Sequence, residues 1–160
     1  MTQRGLYHIA DEPTPGALSR FVVDPFWPVM ACMMVGGIPG LAWLIFNGVA
    51  LGSPTRGREA LICVAGMVGA LLVLGLVMLG QDAGLISERA ARYIALLAIF
   101  CKLGAGCMAA FFQQSALELH EYFGGQKANG WVVLLVAAVV LRPVMQKGVG
   151  HAPFAWVLFS

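Results

Sequence analysis

Apolar residues fall into four blocks separated by short polar stretches: about Pro25 to Val49, Ala60 to Leu79, Ala91 to Leu117, and Trp131 to Met145. A run of about twenty apolar residues is long enough to cross a bilayer as a helix. The pattern predicts an all-α integral membrane protein, a single membrane domain of four transmembrane helices in an antiparallel bundle. Ahead of the first block, residues 1–24 include Asp11, Glu12, Pro13, Pro15 and Gly16 and read as an irregular, solvent-exposed segment. Behind the last, 152–159 is apolar but too short to cross, which predicts a short interfacial tail.

The first block has the most marked boundaries. Asp24 is placed to cap a helix that starts at Pro25, and Trp27 and Trp43 are placed to mark the two interfaces, about 24 Å apart along a helix. Its centre reads Gly36, Gly37, Ile38, Pro39, Gly40. Pro39 lacks an N–H, so the carbonyl near Val35 is freed and a kink is expected there. The stretch Leu51 to Arg58, with Gly52, Ser53, Pro54 and Gly57, predicts a turn between antiparallel helices. Gly36 with Gly40, and Gly66 with Ala70, form small-xxx-small steps that suggest packing of the first helix on the second.

Composition leaves no room for a separate soluble domain. Of 160 residues, 59% are hydrophobic and 11% charged, and the mean hydropathy is +0.81. The net charge of +2, with no basic patch interleaved by aromatics, excludes nucleic acid as a partner. No charged leader with a small-residue cleavage site precedes the first block. With four crossings, Arg4, Arg20, Arg89, Arg92, Arg142 and Lys147 collect on one side and Arg56, Arg58 and Lys127 on the other. That asymmetry predicts both termini in the cytoplasm, as in a bacterial inner membrane.

Lys102 changes the picture most, because it sits at the centre of the apolar run from Tyr93 to Phe112. The middle of such a helix lies about 15 Å from either interface, and a lysine stem reaches only ~6 Å. A charge at that depth costs at least about 2.5 kcal/mol and demands a partner, a water-filled cavity or loss of the proton. Helical spacing places Lys102 on one stripe with Ala91, Ala95, Ala98, Ala105, Gly106, Ala109, Gln113, Ala116 and His120, while Ile94, Leu97, Phe100, Leu103, Met108 and Phe111 take the opposite side. The stripe predicts that the lysine faces protein. Every Asp and Glu reads as lying at a helix end or in a loop, so the candidate partners are the carbonyl freed by Pro39, Asn47, Gln113 or a group from another subunit.

The remaining polar residues support less. Gln113, Gln114, Glu118, His120, Glu121 and Tyr122 form a cluster at the end of the third block, which reads as a solvated helix end stopped by Gly124 and Gly125. One histidine supplies too few ligands for a metal, and His8 and His151 read as isolated surface residues. Cys32, Cys63, Cys101 and Cys107 all fall inside apolar blocks without a CxxC pair and read as small buried hydrophobes. No serine elbow, HExxH, phosphate loop or carboxylate pair points to an enzyme, a cofactor or a metal.

The sequence therefore points to a non-enzymatic membrane protein with the bilayer as its solvent. Its candidate polar positions are Lys102, Gln113, His120 and Asn47, with a kink at Gly36, Gly37, Pro39 and Gly40. Two functions fit: a channel or transporter subunit, homo-oligomeric and using Lys102, or an accessory subunit whose Lys102 pairs with another membrane subunit.

Overall fold

A computed structural model describes residues 18–148, with side chains as far as Leu141. The tail at 152–159 and most of the 1–24 segment, including Arg4 and His8, lie outside the described residues, as does His151. All regular structure among the described residues is helical. After a single 3-10 turn at Ser19–Phe21 come α1 (Phe26–Met34), α2 (Gly37–Leu51), α3 (Arg56–Asp82), α4 (Glu88–Tyr122) and α5 (Gly130–Gly148).

The first apolar block does not form one span. It forms two helices, nine residues in α1 and fifteen in α2, folded back on each other as a hairpin. The reversal occurs at Gly36, whose φ of 139° and ψ of 160° are open only to glycine. The Ala31 carbonyl closes α1 by accepting the N–H groups of both Val35 and Gly36, at 2.9 and 3.0 Å. Three residues into α2, Pro39 sits in the first turn, where its missing N–H would have had no intrahelical acceptor. It therefore starts the returning helix without kinking a continuous one.

Close backbone contact holds the two arms together. Gly40 rests so tightly on Cys32 that a Cβ would overlap the Cys32 backbone and Sγ. At the open end, the Val23 N–H donates to Asn47 Oδ1 at 2.9 Å, so the start of α1 and the end of α2 lie together. Trp27 and Trp43, expected at opposite interfaces, instead border one cluster with Ala31, Val35 and Leu134. The arms of the hairpin enter and leave at the same end of the bundle.

The other three helices are longer, with 27 residues in α3, 35 in α4 and 19 in α5. Gly66 of α3 abuts Ala105 and the Cys101 carbonyl of α4, and Ala70 and Leu74 pack on Ala95 and Ala98. The Gly66 and Ala70 step thus serves the α3–α4 contact, and the Gly36 and Gly40 step closes the hairpin; neither joins the first block to the second. Ser87 caps α4, its hydroxyl accepting from the Ala90 N–H at 3.4 Å. Leading into α5, the Ala128 N–H donates to the Val22 carbonyl at 2.7 Å, and Gly130 lies against the Trp27 ring. α5 then runs alongside α1, with Leu134 against Ala31 and Val35.

Two helices, α3 and α4, are long and apolar enough to cross a membrane; α2 and the apolar part of α5, Gly130–Leu141, are shorter. The described chain begins and ends at opposite ends of the bundle, whereas four alternating spans would have brought its ends together. Arg56 and Arg58 consequently share an end with Arg20, and Arg89 and Arg92 lie at the other.

Candidate functional site at the hairpin tip

The buried face of α4 carries three of the buried polar residues, Lys102, Gln113 and His120. Ala91, Ala95, Ala98, Lys102, Ala105, Gly106, Ala109, Gln113, Ala116 and His120 are all buried, joined by Leu117. Ile94, Leu97, Phe100, Met108 and Phe111 on the opposite side are exposed.

Lys102 meets the chain reversal between α1 and α2. Only 2% of the residue is exposed, and a Cβ on Gly37 would come within 2.5 Å of Lys102 Cδ and 3.2 Å of Nζ. The last turn of α1 leaves carbonyls without intrahelical donors, and its negative dipole end lies beside the positive end of α2, whose first residue is Gly37. The two dipole ends oppose each other at Lys102, so the α1 carbonyls are the groups there that suit an ammonium donor. Gly37 permits the approach because it has no side chain, and Gly36 beside it supplies the turn.

A second buried group lies about three turns further along α4, roughly 16 Å away. Asn47 Nδ2 donates to Gln113 Oε1 at 3.0 Å, and Gln113 Nε2 donates to the Leu44 carbonyl at 2.7 Å. Both residues are 0% exposed. With the bond from Val23, these contacts tie the open end of the hairpin to α4. Cys32, Leu41, Leu44, Cys63 and Ala109 form an apolar layer between this network and Lys102. Lys102, Asn47 and Gln113 are therefore not one site: the two amides partner each other, and Lys102 lies against the hairpin tip.

Glu59 is the buried carboxylate missed in the sequence. Placed in the first turn of α3, it resembles a solvated end residue, yet it is only 1% exposed. Ser53 Oγ and Thr55 Oγ1 donate to its Oε1 at 2.5 and 2.6 Å. Its Oε2 points to Gly48, where a Cβ would come within 2.5 Å, and finds no hydrogen-bond partner among the described residues. The available sequence signal was the hydroxyl pair Ser53 and Thr55, six and four residues ahead of the acid.

His120 closes the same face at the hairpin's open end. It is 6% exposed and packs on Gly125, and its Nε2 has no partner among the described residues. It is therefore not the solvated residue the sequence suggested. Glu121, one residue on, pairs with Lys127 at 2.7 Å outside the apolar region. That bond holds the Lys127 ammonium above its ordinary value. Cys32 and Cys63 are buried, Cys101 is half-buried and Cys107 is exposed on the apolar outer face. No group of three His, Cys, Asp or Glu placed to hold a metal occurs among the described residues. The chain matches no protein-family model, no curated protein and no solved structure.

Proposed function

We propose that the chain is a non-enzymatic, multi-pass membrane protein in which α3, α4 and α5 cross the bilayer and the α1–α2 hairpin re-enters from one face. In this reading it works as a homo-oligomeric transport subunit whose moving part is the contact between Lys102 and the hairpin tip. One observation carries it: an interrupted helix pair ends against a buried lysine at the middle of the apolar length of α4. Irregular backbone at such depth is tolerated only inside protein or beside a water-filled cavity, and paired half-helices at the midplane commonly build ion and substrate sites. A cationic constriction of this kind favours anions.

Near-complete enclosure of Lys102 favours a second reading, an accessory subunit in which the lysine holds the hairpin shut against another membrane chain. Anion efflux from liposomes loaded with purified protein, measured at two pH values, separates the two. The transport reading expects efflux above protein-free liposomes and a loss of about tenfold or more in Lys102→Met. If the wild-type protein moves no anion, that reading falls. Loss of a co-purifying membrane protein on the same substitution then supports the accessory role.

A further inference from the structure

The hairpin changes which basic residues share a membrane face. Because both of its ends return to one end of the bundle, Arg20, Arg56, Arg58 and Lys127 collect there. The positions of Arg89, Arg92, Arg142 and Lys147, at the start of α4 and in the last turns of α5, lie at the other end. The division is four against four, where four alternating spans would have made it five against three for the same eight residues. Insertion follows the excess of Lys and Arg in short cytoplasmic segments, and the acids near the ends contribute little to that choice. A hairpin that starts and finishes on one face supplies no orientation signal of its own.

We propose that this chain inserts in both orientations, so that oppositely directed copies share one bilayer. The proposal rests on the three-crossing arrangement above. With no bias, neither direction has a thermodynamic advantage at insertion. A further basic residue at one end, such as Arg4 upstream of the described residues, shifts the ratio by about fivefold and leaves the minor form populated.

The test uses single cysteines at two exposed positions, Pro54→Cys in the α2–α3 turn and Leu85→Cys in the α3–α4 turn, labelled in intact cells with a membrane-impermeant maleimide. The unsubstituted protein supplies the background from its own cysteines. The expected result is partial labelling at both positions, between about a fifth and four fifths each, completed only when the membrane is permeabilised. Adding Gln81→Lys and Asp82→Lys then drives Leu85→Cys towards full protection and Pro54→Cys towards full labelling. Complete labelling at one position with none at the other, in the chain without added lysines, overturns dual insertion and leaves the three crossings standing. If the added lysines move both positions in the same direction, α3 does not cross, and the arrangement underneath the proposal fails with it.

Discussion

The two halves of α4 present the same kind of face to very different neighbours. From Ala91 to Ala98 the buried positions are all alanine, and Ala95 and Ala98 pack on Ala70 and Leu74 of one continuous helix, α3. From Lys102 to His120 the same stripe carries a lysine, an amide and an imidazole, and it packs on a hairpin as well as on α3. A continuous helix satisfies its own backbone, so close contact with small side chains suffices. A chain that reverses inside an apolar environment leaves helix ends exposed to no water, and the facing helix must supply polar atoms. Of the buried polar residues in α4, Lys102 faces the break in the backbone, whereas Gln113 and His120 lie towards the hairpin's open end.

Substitutions at three places, with their controls, test that contrast. The largest effect is expected at the hairpin's closest contact. Gly40→Leu puts a side chain into the Cys32 backbone, and we expect a loss exceeding about 3 kcal/mol, read as failure to recover monodisperse protein in detergent. Gly75→Leu on α3, where nothing lies within 4 Å, is the control and is expected to leave recovery unchanged. Equal behaviour of the two would break the comparison at its root.

A smaller loss is expected from the polar network. Gln113→Leu strands the Asn47 Nδ2 donor in the interior and removes a second bond to the Leu44 carbonyl, for about 1–3 kcal/mol. Thermal unfolding followed by circular dichroism measures it, and Asn47→Leu combined with Gln113→Leu is expected to be less harmful than the sum of the two. Additive losses would mean that the amides act separately. Least sensitive is the alanine-lined half: Ala95→Ser, whose hydroxyl can bond to its own helix's preceding turn, is expected to cost under about 1 kcal/mol in the same assay. A loss as large as that from Gln113→Leu would show that the two halves of α4 are equally demanding.

Helical spacing alone was enough to identify the buried stripe of α4, because a long helix of apolar and small residues obeys one period throughout. The depth of Lys102 was legible for the same reason, as was its alignment with the glycine-rich centre of the first block. What could not be read there was the direction of the chain beyond Gly36. A kinked span and a tight hairpin need the same length, the same apolar content and the same glycines, and they differ only in whether Gly40 meets Cys32 or passes it by. That contact is tertiary, and local preference does not encode it. Pro39 misled in the same way, since a proline that would bend a helix interior is unremarkable in a first turn. The pairing of Asn47 with Gln113 was within reach, because an intramembrane amide seeks another polar group, but the missing span reversal hid their shared depth. Glu59 was hidden by its position at a helix start, where most acids meet water.

The bonds that hold the hairpin link positions far apart in the chain. The bond from Gln113 to the Leu44 carbonyl spans 69 residues. At synthesis rates of about 5–20 residues per second, Gln113 leaves the ribosome roughly three to fourteen seconds after Leu44. Neither arm of the hairpin is long enough to cross on its own. In the re-entrant arrangement proposed above, α1 and α2 have no partner for their inner ends during that interval and wait at the membrane surface. On that reading the hairpin is made before α4 but reaches its final depth only once α4 is in place to receive it.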